Sequence, residues 1–252
     1  MVALLAVVAF IVGLLIGTVG VGGILLIPAV AACLGLTTQV SMATALFSFI
    51  FTGLIGTWLY QRRGTIDWHI TIPVCLGALF FGYLGALANS RANAAVLNLI
   101  LSLIIVFAGI YAIKKHARGK QFQFDKTKAS QRWLLVAIGA VVGFGSGLTG
   151  VGGPVLSVPL MVIIGFDPLT SIATSQVIQI AAAASGTAGN LAHGNIDFVA
   201  ASWITLFELG GVIVGVRLAH SAKTKQLRAF VAIVCMVVGG FILIRSLGAL
   251  AN

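Results

Sequence analysis

Residues 17–23 read Gly-Thr-Val-Gly-Val-Gly-Gly, and residues 147–153 read Gly-Leu-Thr-Gly-Val-Gly-Gly. Both segments interrupt apolar runs, and the similarity between their surroundings continues along the chain at one constant offset of 130 residues. A Ser-x-Ala-Thr motif, for example, recurs at residues 41–44 and 171–174. An apolar composition alone does not explain such matches among glycines and polar residues. The sequence therefore indicates an internal duplication.

The composition places the chain in a membrane. Of its 252 residues, 60% are hydrophobic and only 8% are charged, with a mean hydropathy of +1.13, whereas soluble domains carry about 25% charged residues. Several apolar runs approach the roughly 20 residues that span a bilayer as a helix. Because lipid offers no partner for free backbone groups, helices are the expected form of these spans. We predict an all-α polytopic membrane protein.

The charged and reactive side chains argue against nucleic-acid binding and against catalysis. The net charge is +10, but twelve of the fifteen Lys and Arg residues lie in or beside three loops, which is typical of membrane topology. Cys33, Cys75 and Cys235 lie far apart in apolar runs, which predicts buried thiols rather than a disulfide or a metal site. No paired carboxylates and no Ser/His/Asp set are present, so we expect neither a cofactor nor an enzyme.

The duplication divides the chain into two membrane repeats, residues 1–113 and 133–252, joined by a basic linker at 114–132. In each repeat the glycine-rich segment separates a pair of short apolar runs, and three longer transmembrane runs follow. In the first repeat these longer runs are near 40–60, 69–89 and 94–113. The pattern predicts about 8–10 helices in all.

The short pair of runs has two interpretations. A run of about 15 residues reaches only about 22 Å, which is less than the roughly 30 Å of a hydrocarbon core. The pair therefore forms either two thin spans or a re-entrant hairpin. Both count as an even number of crossings, and the three further spans make each repeat cross an odd number of times. Two inverted-topology repeats follow from this count.

The basic residues give an independent test of orientation. A cytoplasmic linker places two other basic loops on the same side, one with Arg62 and Arg63 and one with Lys223, Lys225 and Arg228. Thirteen basic residues then lie inside and two outside, as the positive-inside rule expects. We predict a multi-pass protein of the cell inner membrane with both termini outside.

The glycine-rich breaks are the predicted substrate site. Glycines let a chain leave helical geometry, and new helices are expected to begin at about Gly22 and Gly152. Helix starts carry free N–H groups and about half a positive charge, so two starts brought together form an anion site without Lys or Arg. The alternative is close helix packing. Glycine pairs with the packing spacing are 13/17, 143/147 and 211/215.

Polar residues elsewhere extend this hypothesis. Thr44 and Thr174 lie one turn into the third run and either face the site or bond to the backbone. A stripe on the equivalent run of the second repeat includes Gln176, Gln179 and Asn190, and amides of this kind are expected to face inward. The predicted substrate-binding residues are Gly20, Val21, Gly22, Gly23, Thr44, Thr149, Gly150, Val151, Gly152, Gly153, Pro154, Thr174, Gln176 and Gln179.

Glu208 is the acid in the middle of a predicted span. Such a residue is a functional hypothesis by default, and it either carries a coupling proton or is a neutral structural group. Ser41 and Ser171 are interpreted as capping or back-bonding residues. Asp67, His193 and Asp197 are interpreted as turn and cap residues.

The two Gly-x-x-Gly-Val-Gly-Gly breaks, the second followed by Pro154, resemble the sulfite exporter TauE/SafE family of transporters. The resemblance covers essentially the whole chain. It implies an inner-membrane permease, often an exporter, for sulfite, sulfoacetate, related sulfonates or other small organic anions. Relatives that move thiosulfate use cysteines, and this chain has none at its breaks. The predicted function is a secondary transporter that works by alternating access, with a small anion and the lipid bilayer as its partners. Proton coupling and a homodimer are further expectations. The alternative is an uncoupled anion channel.

Overall fold

The computed structural model describes residues 2–20, 22–89, 129–191 and 196–251, with isolated positions between 99 and 110. Val21, His193, the predicted run near 94–113 and residues 114–128 of the linker lie largely or wholly outside the described residues. The last residues of the linker, from Ala129 on, are helical and open the first helix of the second repeat.

The described part of the chain is helical throughout, without strands. This confirms the all-α polytopic prediction. Its helices are α1 (Val2–Val19), α2 (Gly23–Leu34), α3 (Thr38–Arg62), α4 (Trp68–Asn89), α5 (Ala129–Thr149), α6 (Pro154–Ile164), α7 (Pro168–Leu191), α8 (Phe198–Ser221) and α9 (Thr224–Ala251). Four of them are long and apolar enough to cross a membrane, over Val40–Arg62, Trp68–Ala88, Ser130–Thr149 and Phe198–Ser221.

Helices α2 and α6 are too short to span by themselves. They have 12 and 11 residues, and at about 1.5 Å per residue they reach only a little over half of a hydrocarbon core of about 30 Å. Each follows a longer helix across a glycine-rich break. The structure thus has a broken helix pair at the start of each repeat.

Helices of one repeat pack mainly on helices of the other. Helix α1 lies against α8, α5 lies against α4, and α3 crosses α7. At the 130-residue offset α1 corresponds to α5, α3 to α7 and α4 to α8. Exchanging the two repeats therefore turns the α1–α8 contact into the α5–α4 contact and leaves the α3–α7 contact as it is. The exchange also holds for single residues, because a Cβ at Gly13 would strike the backbone of Glu208, and one at Gly143 would strike the backbone of Ala78. Position 78 is the counterpart of position 208 at the 130-residue offset.

Glycines at these contacts serve close packing. A Cβ at Gly17 would lie 2.6 Å from the carbonyl oxygen of Val212, and one at Gly147 would strike the carbonyl oxygen of Gly82. Side chains at these positions would force the helices apart. The packing interpretation is therefore confirmed for the glycine pairs 13/17, 143/147 and 211/215.

Helix α7 lies in the interior of the bundle. It is long, with 24 residues, but it carries too many polar side chains to count among the four apolar spans. Helices α3, α4 and α6 cover it. Apart from Leu191 at the end of α7, the large apolar side chains that are exposed lie on other helices, such as Leu76 and Phe80 of α4 and Leu206 of α8. Those faces suit contact with lipid.

Hydrogen bonds at helix ends test the capping interpretations. The Asp67 carboxylate accepts from the His69 amide at 2.9 Å, and the Asp197 carboxylate accepts from the Ala200 amide at 2.9 Å. The Ser171 hydroxyl donates to the Asp167 carbonyl at 2.9 Å. These three interpretations are confirmed. The one for Ser41 is wrong, because its buried hydroxyl has no hydrogen-bond partner among the described residues.

Candidate functional site

The first break separates α1 from α2. Helix α1 ends at Val19, and Gly20 takes a φ of 74° while its amide still donates to the Ile16 carbonyl at 3.0 Å. Positive φ is cheap for glycine and costly for other residues. Gly22 then precedes the first residue of α2 with an extended φ of −149°. The chain reverses over these few residues.

The second break is similar but not identical. Gly150 has a φ of 68°, and its amide donates to the Ser146 carbonyl at 2.8 Å. Gly152 has a φ of 89°, whereas its counterpart Gly22 has a φ of −149°. Helix α6 begins at Pro154, a residue whose fixed φ and missing N–H suit the first turn of a helix. The two breaks therefore turn by different backbone paths.

The two breaks touch each other. A Cβ at Gly23, the first residue of α2, would lie 2.6 Å from the Val151 carbonyl oxygen. A Cβ at Gly20 would lie 3.4 Å from Cβ of Pro154, the first residue of α6. The starts of α2 and α6 thus lie side by side in the interior, and the partial positive charge of each adds to that of the other.

A narrow gap lies at this junction. It is nowhere wide enough for a water molecule. Both breaks and the helices α3 and α7 contribute residues to its wall. The lining residues are Ile16, Gly20, Gly23, Phe49, Val151, Gly152, Pro154, Val155 and Gln179. Six of the predicted site residues, at positions 20, 23, 151, 152, 154 and 179, are brought together here.

Phe49 and Gln179 occupy equivalent positions on α3 and α7, so the gap has one aromatic wall and one amide wall. The Gln179 Nε2 donates to the Phe49 carbonyl at 3.0 Å and to the Thr52 hydroxyl at 2.7 Å. Its Oε1 is buried and has no hydrogen-bond partner among the described residues. Helix–helix hydrogen bonding thus accounts for one end of this amide and not for the other.

Gln176 forms a hydrogen bond with the last turn of α1. Its Nε2 donates to the Ile16 carbonyl at 3.0 Å, and its Oε1 lies against Gly56. Leu46, the equivalent residue on α3, lies against Gly186. The inward direction predicted for the stripe is confirmed, because Gln176 and Gln179 are 0% and 1% exposed. Gln176 does not line the gap.

Tyr60 is a residue that the sequence did not single out for the breaks. It is fully buried, and its hydroxyl donates to the Gly17 carbonyl at 2.7 Å. It thus supplies a donor to a carbonyl in the last turn of α1, whereas Gln176 adds a second donor to the Ile16 carbonyl, which already accepts from the Gly20 amide. The sequence signal for this role was a tyrosine within an apolar span, because a buried tyrosine hydroxyl needs a hydrogen-bond partner.

Thr44 and Thr174 lie elsewhere. The Thr44 hydroxyl accepts from the Asp197 amide at the start of α8, at 3.2 Å. The Thr174 hydroxyl lies 3.2 Å from the Thr71 hydroxyl in the first turn of α4. Each threonine thus joins the third helix of one repeat to the fourth helix of the other. Neither lines the gap, so their contact with substrate stays a prediction.

Glu208 lies away from the gap, on α8. It is 0% exposed, and both carboxyl oxygens lack a hydrogen-bond partner within the described part of the chain. Ser48 of α3 faces it, but the Ser48 hydroxyl donates to the Ala45 carbonyl at 2.8 Å. Arg217 of the same helix is exposed, whereas the Glu208 carboxyl group is buried.

Comparisons with known proteins agree with this architecture. The probable membrane transporter protein YunE of Bacillus subtilis (strain 168) is 28% identical, over 92% of this chain and 95% of that protein. The probable membrane transporter protein YdhB of the same organism is 24% identical, over 94% and 98%. A probable membrane transporter protein of Methanocaldococcus jannaschii is 25% identical, over 96% and 95%. No solved structure matches.

A family model decides the classification. The model described as "Sulfite exporter TauE/SafE" matches residues 5–242, which include both breaks and every described helix, the first and the last in part. The resemblance seen in the glycine motifs thus extends over nearly the whole length. This multi-pass membrane protein belongs to the sulfite exporter TauE/SafE family of membrane transporters.

Proposed function

We propose that the chain is a secondary transporter that exports small organic or sulfur-containing anions, such as sulfite, sulfoacetate or related sulfonates. The single observation that carries the proposal is the meeting of the starts of α2 and α6 at one buried gap. Helix starts attract anions through free amides and the helix dipole. No Lys or Arg lines this gap, so the backbone supplies the positive potential.

The proposed mechanism is alternating access. The gap admits no water in this conformation, so an anion binds only when the two breaks move apart. Two equivalent contacts join the repeats, α1 on α8 and α5 on α4. In the proposed mechanism, one repeat rocks against the other along these two surfaces. The substrate then faces each side of the membrane in turn.

Coupling and orientation complete the proposal. Glu208 is the proposed proton carrier, since it is a fully buried carboxyl group without a hydrogen-bond partner in the described chain. The protein is placed in the inner membrane with both termini outside and the basic linker in the cytoplasm, in accordance with the positive-inside rule. The two repeats are inverted in this arrangement.

Transport by purified protein in proteoliposomes tests the site. We expect Gly22→Val and Gly152→Val to abolish uptake of a labelled sulfonate, because each adds bulk at a break. Gly240→Val is the matched control, because a Cβ at Gly240 of α9 meets no described residue within 4 Å. Normal uptake by both break variants would rule out the site. Uptake that continues without coupling and without saturation would indicate a channel instead.

A further inference from the structure

The starting point is the fixed orientation of the Gln179 amide. The Phe49 carbonyl can only accept a hydrogen bond, so the atom of Gln179 that lies 3.0 Å from it must be the NH₂ group. The Thr52 hydroxyl already donates to the same carbonyl at 3.2 Å, which leaves its lone pairs to accept the second N–H of Gln179 at 2.7 Å. Both hydrogens of the amide are thereby used.

Only the carbonyl oxygen of Gln179 is left without a partner among the described residues. The residue is 1% exposed and lines the gap beside the starts of α2 and α6. Its Oε1 has no partner among the described residues. Buried acceptors are nearly always satisfied in folded proteins, so an unsatisfied one at a candidate binding site indicates that a ligand supplies the donor.

The site thus combines two opposite requirements. Two helix starts favour negative charge, whereas the Gln179 oxygen repels any ligand oxygen that carries no hydrogen. We propose, on the basis of the function proposed above, that the substrate is a small monoanion that also carries a hydrogen-bond donor, such as a hydroxyl group, which binds Gln179 Oε1. Donor-free anions of the same size bind more weakly.

The expected selectivity follows from the cost of an unpaired group. A ligand without the donor leaves the oxygen unsatisfied, and this costs roughly a factor of ten or more in affinity. A purely apolar wall would not favour a hydroxyl over a methyl group. The comparison of 2-hydroxyethanesulfonate with propane-1-sulfonate isolates this effect, because the two anions differ by a hydroxyl in place of a methyl group.

The experiment measures uptake of each labelled sulfonate by the full chain in proteoliposomes. We expect the wild type to prefer 2-hydroxyethanesulfonate by about tenfold or more in apparent affinity. Gln179→Met, which matches the volume and has no carbonyl, is expected to bring the ratio close to one. Gln179→Leu serves as a second variant if the first is not recovered folded.

Two control variants separate recognition from structural damage. Asn190→Leu removes another amide of α7, which does not line the gap and donates to the Gly186 carbonyl at 2.9 Å. Thr52→Val removes one partner of the Gln179 NH₂ group but leaves Oε1 in place. Both controls are expected to keep the wild-type ratio.

The outcomes distinguish the two proposals. Equal uptake of both sulfonates by the wild type, or a wild-type ratio retained by the Gln179 variants, would overturn the donor requirement and leave the anion transporter intact. Uptake of neither sulfonate by folded wild-type protein would overturn the proposed function and, with it, this inference.

Discussion

Replacing Gly152 by alanine measures the backbone strain stored in the second break. Gly152 has a φ of 89°, in the region that costs an L-residue about 1–2 kcal/mol. The added Cβ would lie 3.4 Å from Cδ2 of Phe49, which is ordinary van der Waals contact, so no steric cost is added. We expect Gly152→Ala to lower the free energy of unfolding by about 1–2 kcal/mol.

Thermal unfolding in detergent micelles is the assay. A loss of this size lowers the midpoint by about 2–8 °C for a chain of this length. Gly240→Ala is the control, because it lies within α9 and its Cβ meets nothing within 4 Å in the described part of the chain, so its midpoint stays equal or rises. Gly22→Ala adds a contrast, because Gly22 has an extended φ but its Cβ would lie 2.5 Å from the Val12 carbonyl oxygen.

The result that refutes the reasoning is a Gly152→Ala midpoint equal to that of Gly240→Ala. Residue 152 would then not have a left-handed backbone, and the start of α6 would not be placed by the turn described above. A lower midpoint for Gly22→Ala does not bear on this point, because its origin is steric.

Three further predictions concern other parts of the bundle. Gly143→Leu would drive a side chain into the backbone of Ala78, and we expect size-exclusion chromatography to show loss of monodisperse protein. Tyr60→Phe leaves the Gly17 carbonyl without the donor that lies 2.7 Å away, and a loss of about 1–2 kcal/mol in stability is expected from denaturant titration. Glu208→Gln is expected to abolish uptake driven by a pH gradient and to preserve substrate exchange at equal pH; unchanged gradient-driven uptake would remove Glu208 as the proton carrier.

Much of the fold was predictable because it depends on local composition. Apolar runs become helices in lipid since a helix satisfies its own backbone groups, and the structure has helices at the long runs predicted near 40–60 and 69–89. The glycine spacing at 13/17 and 143/147 predicted close packing, and a Cβ at any of these positions would meet backbone. The inversion of the two repeats across the membrane stays a prediction.

The candidate site was predictable only in part. Positions 20, 23, 151, 152 and 154 line the gap, and the sequence indicated them because clustered glycines within an apolar run favour a break in the helix. Thr44 and Thr174 match each other in the repeat as well as the glycines do, yet their hydroxyls join helices at the starts of α8 and α4. A residue's helical register says which neighbours share its face, but not which helix covers that face.

The sequence by itself determined that this chain is a duplicated, helical membrane protein with two glycine breaks, because composition, periodicity and repeated motifs are properties of the chain alone. Only the tertiary structure decided that the two breaks touch, that Phe49 and Gln179 both line one gap, and that Gln179 keeps a carbonyl oxygen without a partner among the described residues. Hydrogen bonds across 127 and 130 residues fix that amide. Contacts of such length depend on how helices pack, which no local pattern encodes.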